Sequence, residues 1–175
     1  RHIITLYLAS GLAATVSAVN LGILLSGAGN GIDALVWPEI INLENNTQAP
    51  ATSICVLLAA TGTYRLSVPP RDRDIIFMVS ATAGLLLALI AVVGYAFDSQ
   101  ALYGMSIFTA MALHTALAFV GLFAALLLQR PRLSWVGLLL GAGAGSEGVR
   151  RVFPVAIFGS FVFCLVALFA TEAGL

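Results

Sequence analysis

The sequence predicts an all-α integral membrane protein, a five-span helical bundle, and three observations carry that prediction. The 175 residues are 60% hydrophobic and 9% charged, where a soluble domain carries about 25% charged residues. The apolar residues fall into long runs of span length. The basic residues are all arginines (Arg1, Arg65, Arg71, Arg73, Arg130, Arg132, Arg150 and Arg151), clustered at alternate ends of those runs and so on one side of a bilayer. Arginine near a span end stays on the cytoplasmic side during insertion.

A span needs about 20 apolar residues at 1.5 Å per residue. The first is 3–25. The second, 51–66, is short, opened by Pro50 and closed before Pro69-Pro70. Proline suits a first turn, whose N–H has no intrahelical partner, and stops a helix that has already run. The third and fourth are 75–97 and 109–128, the fourth ended by Pro131, and the fifth is 152–171. Residues 1–175 then form a single polytopic membrane domain with a cytoplasmic N-terminus and a periplasmic C-terminus. The first run is too long for the apolar core of a signal peptide and carries no clear cleavage site. The outer loop 26–49 has acidic but no basic residues. Its Ile32, Leu35, Val36, Trp37, Ile40, Ile41 and Leu43 suggest a short interfacial helix. The match of Asn45-Asn46-Thr47 to a glycosylation sequon is read as accidental. The inner loop holds Leu133–Leu140, which dips toward the interface behind Trp135, and then a flexible glycine-rich linker, 141–148.

Several function classes are excluded. There is no basic stripe to track nucleic acid. The glycine-rich run lacks the Gly-Lys-Ser/Thr ending of a phosphate loop. No span holds a carboxylate or a basic residue, so a proton relay or coupling-ion site is missing and transport by this chain alone is not expected. No Ser–His–Asp set, cysteine pair or metal-ligand spacing occurs. The expectation is a protein without enzymatic activity or a metal. Cys55 and Cys164 lie in apolar runs and read as packing residues.

Helix association has positive support. Ser10, Ala14, Ala18 and Gly22 recur every four residues along the first span, and Ser80, Gly84 and Ala88 along the third. Small residues so spaced let backbones approach closely. The fifth span concentrates Phe153, Phe158, Phe161, Phe163 and Phe169, either lipid-facing filler or a surface for a partner helix or flat cofactor.

The ligand-binding candidates are His114, Asn20, Thr115 and Thr52. His114 is the single histidine inside a span; Asn20 lies at similar depth, with Thr115 and Thr52 close to that level. Polar side chains in a span face other helices or a cavity. His114 is therefore expected to face protein, with Asn20 the nearest partner by depth. Three readings stay open for it: a cross-helix hydrogen bond, a ligand contact (quinone, chlorophyll-type pigment, haem or metal), or proton sensing. A haem would usually want a second axial ligand, and His2 lies at the opposite end.

An internal repeat is suggested by laying Pro50–Leu58 over Leu113–Gly121, so that Thr52 meets Thr115 and Ser53 meets Ala116. The unit is span, outer loop, span, used twice in the same direction.

The run Ala101-Leu-Tyr103, then Met111-Ala-Leu-His-Thr-Ala116 through Phe119, Arg130-Pro131, the glycine-rich stretch, Arg150-Arg151 and Pro154 resembles the membrane-embedded N-terminal sensory region of bacterial PAS-domain histidine kinases and diguanylate cyclases. The resemblance covers roughly residues 75–175 and, more loosely, the first half. It implies the inner membrane of a bacterium and a sensory-type module. In that family a further span and cytoplasmic output domains follow the Ala-Gly-Leu found here at 173–175. The expected function is therefore a sensory-type membrane domain lacking its output and used as an accessory subunit, acting by helix–helix contact or by binding an apolar ligand. The alternative is a bracing subunit of a respiratory or photosynthetic complex, with quinone or pigment contacts. Expected partners are membrane lipid and other transmembrane subunits or a second copy, not nucleic acid.

Overall fold

Alanine- and leucine-rich runs without internal proline favour helix, and helices are what the described residues form. The computed structural model describes residues 2–26, 32, 49–69, 74–96, 111–131, 134–141, 145–152, 154, 155, 159 and 162, with no strand among them. The chain divides into two compact units, Arg1–Arg130 and Pro131–Leu175.

The first unit holds α1 (His2–Ser26), α2 (Pro50–Ser67), α3 (Ile75–Ala96) and α4 (Leu113–Gln129). Three match the expected spans to within a residue or two at each end. The fourth starts later than expected, because Met111 and Ala112 are not helical. Ala112 is extended (φ −68°, ψ 146°), and the Met111 carbonyl accepts a 2.6 Å bond from the Tyr95 hydroxyl. Two helices, Ile4–Ser26 and Ile75–Tyr95, are long and apolar enough to cross a membrane, while Leu113–Gln129 is apolar but shorter. The expected outer interfacial helix lies outside the described residues except for Ile32. The fifth span lies outside them except for residues 152, 154, 155, 159 and 162, and its phenylalanines, Cys164 and the sequon are likewise outside.

The core is organised around α2, which packs against α1, α3 and α4, while α3 also packs on α4. Within α2 only Tyr64 is exposed. Yet α2 carries Thr52, Ser53, Thr61, Thr63, Arg65 and Ser67. Three of its hydroxyls turn onto their own helix: Thr61 to the Leu57 carbonyl, Thr63 to Ala59 and Ser67 to Thr63, at 2.8, 2.8 and 3.2 Å. Each carbonyl lies four residues back, so the hydroxyl is satisfied without a neighbouring helix. The outer helices show the reverse pattern. Leu8, Leu12 and Leu25 of α1 are 68–79% exposed, while Ser10, Ser17 and Asn20 are buried.

The buried stripe of α1 therefore differs from the expected one. Ser10 is buried and Ala14 half-buried, but Ala18 and Gly22 are exposed. A strict four-residue stride rotates by about 40° per step around a 3.6-residue helix. Three steps carry Gly22 about a third of a turn away from Ser10. The contact follows the alternating three- and four-residue spacing of a left-handed pair instead, through Ser10, Ser17 and Asn20. In α3, Ser80, Gly84 and Ala88 are all buried. Gly84 receives the Phe123 ring of α4, and a β-carbon there would lie 2.1 Å from its Cζ.

α2 and α4 begin alike. α2 starts at Pro50 after extended Ala49 (φ −58°, ψ 138°), and α4 starts at Leu113 after extended Ala112. That is the register of the suggested repeat. Ser53 and Ala116, equivalent in that register, are both fully buried.

The second unit holds α5 (Val136–Leu140), which ends at Gly141 with the Gly141 amide bonded to the Gly137 carbonyl at 2.9 Å. The expected flexible linker, 141–148, is corrected over its second half: residues 145–152 are helical. The Ser146 hydroxyl and the Arg150 guanidinium both donate to the Gly141 carbonyl, and Arg151 pairs with Glu147 at 2.6 Å, one turn apart. These local bonds hold a turn of helix that glycine content alone would disfavour.

Gly84→Ala should lower stability in detergent by about 1–3 kcal/mol, the usual range for overpacking. Adding Phe123→Leu should restore part of that loss, because the two sites share one contact. Thermal melting of both single variants and the double variant measures this; purely additive losses would refute the knob-in-hole assignment.

Candidate functional site

Polar side chains of the first unit gather at its two ends. At the end formed by the C-terminus of α1 and the N-terminus of α2, the Asn20 amide donates to Ser53 Oγ at 2.9 Å, and both residues are buried. Asn20 Oδ1 accepts a 2.8 Å bond from the Ile32 backbone N–H. One side chain thereby joins α1, α2 and a point in the connection between them. Buried amides require such partners, since an unmet donor costs about 1–3 kcal/mol.

Arginine and aspartate dominate the opposite end. Arg65 Nε and Nη2 bond the Asp74 carboxylate at 2.9–3.1 Å, with 18% and 3% of the two side chains exposed. Asp74 Oδ1 also accepts the Phe77 N–H at 3.2 Å, capping the first turn of α3. Arg130 Nη2 donates to the Leu66 and Val68 carbonyls at 2.7 and 2.9 Å. Those groups close α2, where the last carbonyls of a helix lack intrahelical donors. Among the described residues, Arg130 Nη1 is buried with no hydrogen-bond partner. Tyr7 joins the cluster through a 3.1 Å bond to the Ser67 carbonyl and an edge-on contact with Tyr64. Burial by itself raises the Asp74 carboxyl. The Arg65 bonds, the Phe77 amide and the charges of Arg65 and Arg130 outweigh it and hold the group below its ordinary value.

Only part of the predicted site is brought together. Asn20 is buried as expected, and its described partners include Ser53 and Ile32. Thr52, half-buried, stands beside Ser53, and its backbone N–H bonds the Ala49 carbonyl at 3.0 Å. Thr115 is half-buried, and His114 is exposed. The expectation that His114 faces protein is corrected within the described residues. The inner face of α4 is set by Ala116, Phe123, Leu126 and Leu127. His114 precedes Ala116 by two residues, which places it about 200° around the helix. Sequence reasoning missed Ser53, Asp74 and the capping role of Arg130. The signals were present: Ser53 lies near the start of α2 as Asn20 lies near the end of α1, and Asp74 immediately precedes an apolar run, as a cap should. Cys55 is buried as a free thiol.

An apolar groove of about 260 Å³ opens beside α2, walled by α1 and α4, with Ala59 and Ala60 on its floor. No protein-family model, curated protein or solved structure matches the chain. No cluster of histidine, cysteine and carboxylate able to hold a metal occurs among the described residues.

Asn20→Ala and Ser53→Ala should each destabilise the bundle, with a coupling of about 0.6–1.7 kcal/mol in a double-mutant cycle, the range for cross-helix bonds in a membrane. A coupling near zero would show that the bond contributes nothing. Asp74 has a depressed folded pKa, so its stabilisation is present above the unfolded value of 3.8 and lost as pH falls through the lower folded value. Asp74→Asn should lower stability at neutral pH by ~2 kcal/mol. The gap to wild type should close in acid, measured by melting in detergent between neutral pH and strong acid.

Proposed function

We propose that this chain is a multi-pass helical module of a bacterial inner membrane, a sensory-type membrane domain that works as an accessory subunit by helix–helix contact. The observation that carries the proposal is the inverted distribution of polarity. Small and polar residues (Ser10, Ser17, Asn20, Ser53, Ser80) lie inside, and Leu8, Leu12, Leu25, Ile75 and Val79 point outward. Water would penalise that outward surface at about 25 cal/mol per Å²; lipid does not. The positions of Arg65 and Arg130 at one end of the unit support a cytoplasmic N-terminus, as does the arginine bias of the sequence. The resemblance around Met111–Ala116 supports the sensory reading.

A second reading, a bracing subunit of a respiratory or photosynthetic complex, is favoured by one observation: His114 faces outward from the described helices. An imidazole there is available to a quinone, pigment or haem held jointly with a neighbour.

Purification in mild detergent tests the reading. A stoichiometric complex supports an accessory subunit; a lone chain or simple dimer refutes it. A co-purified pigment whose absorbance disappears in His114→Gln selects the second reading. Reporter fusions after Leu66 and Leu128 should behave as cytoplasmic and those after Gly31 as periplasmic; a periplasmic signal after Leu128 would overturn the orientation.

A further inference from the structure

We infer that the groove between α1, α2 and α4 is a binding site for one acyl chain of an anionic phospholipid from the arginine-bearing leaflet. The inference rests on the membrane reading above. Ala9 and Ala13 line the α1 side, Ala59 and Ala60 the floor, and Phe119 and Leu122 the α4 side. Two hydroxyls also line the groove, and both are turned away onto their own helices: Ser10 to the Tyr7 carbonyl at 3.2 Å and Thr63 to the Ala59 carbonyl at 2.8 Å. Nothing in the lining then asks for a polar ligand.

Depth and size choose among apolar occupants. Leu122 and Phe119 precede Arg130 by eight and eleven residues, which places them about 12 and 16 Å from the arginine level. On α2, Thr63 and Val56 lie about 3 and 14 Å from the level of Arg65. One leaflet of hydrocarbon is about 15 Å deep, so the groove runs the depth of a single leaflet. A helix of that length and 10 Å diameter occupies on the order of 1,200 Å³. The groove offers about 260 Å³, and a single alkyl chain is several-fold thinner than a helix.

Charge selects the headgroup. Among the described residues of the first unit, Arg65 and Arg130 stand at this end with one carboxylate, Asp74. Asp74 is already committed to Arg65, and the described contacts of Arg130 are neutral carbonyls. A net positive rim favours a phosphate without a balancing cation.

Native mass spectrometry of the full chain in detergent, titrated with phosphatidylglycerol or with phosphatidylcholine of the same acyl chains, tests this. Wild type should retain one phosphatidylglycerol, preferred about fivefold over phosphatidylcholine, the worth of one arginine near the surface. Ala13→Leu, and Ala9→Leu at an exposed position where folding is not at stake, should fill the groove and remove that retention with no change in melting temperature. Equal retention by the variants overturns the site. Equal binding of the two lipids overturns the headgroup assignment. A lipid-free dimer that Ala9→Leu dissociates identifies a second copy as the occupant and overturns the proposal. Should the chain wash off membranes at high pH, the membrane reading itself fails; a chain that stays embedded and shows no lipid preference refutes the groove alone.

Discussion

Everything in the first unit depends on the need to enclose α2. This helix carries more hydroxyl and charged side chains than its neighbours, ends at an arginine, and is only 18 residues long. An apolar surround is tolerable for it because Thr61, Thr63 and Ser67 bond carbonyls of their own helix. What remains facing outward is a small-residue surface, Ala51, Ser53, Cys55, Ala59, Ala60 and Gly62, all buried. Small side chains let three helices approach the same central one, and close approach maximises dispersion contact. The more apolar α1 and α3 are then free to sit outside.

Bonds between helices gather at the ends, and elementary energetics explains why. In the apolar middle of the bundle, an amide or guanidinium stranded by a small shift loses its partner with no water to replace it. Near the ends, relaxation is cheaper and connecting segments supply acceptors. Asn20 uses the Ile32 amide at one end. Arg130 uses the Leu66 and Val68 carbonyls at the other. Arg130 therefore does for α2 what a C-terminal glycine does elsewhere, supplying donors to carbonyls that the helix cannot satisfy. Asp74 performs the complementary task at the start of α3, with its charge matched both to the helix dipole and to Arg65.

Helix class and helix placement were legible in the sequence because both follow from run length and proline position. The α3 seam was legible too, since Gly84 stands in an alanine–serine row and only a glycine admits a ring so close. The α1 seam was misread for a geometric reason. A four-residue stride looks regular in one dimension but winds off the face, and Ser17, not Ala18, continues the stripe from Ser10. His114 was misread because polarity alone was taken to fix its direction. Orientation around α4 is set by the larger apolar set Phe123, Leu126 and Leu127, and two residues of offset from Ala116 decide the outcome. Helix over 145–152 was hidden by glycine content, since its support comes from Ser146, Arg150 and the Arg151–Glu147 pair, contacts visible only once the turn exists. The pairing of Asn20 with Ser53 required knowing which helices are neighbours, which span spacing does not contain.

The outward direction of His114 limits what it can do. An imidazole bonded between two helices of one bundle is a structural element, and its loss is read as stability. One that projects from the bundle has no such role among the described residues, and any ligand it holds must find its remaining contacts elsewhere. Haem makes the point most sharply. The sequence holds one other histidine, His2, at the far end of the first helix, so a bis-histidine haem at this position would require a second imidazole from beyond these residues. A quinone or a pigment magnesium needs only one such contact from this chain, and both would sit against the exposed Leu113 and Leu117 that flank His114. Ligand binding at His114 would therefore need contacts from beyond the described residues, because the geometry of α4 turns the imidazole outward.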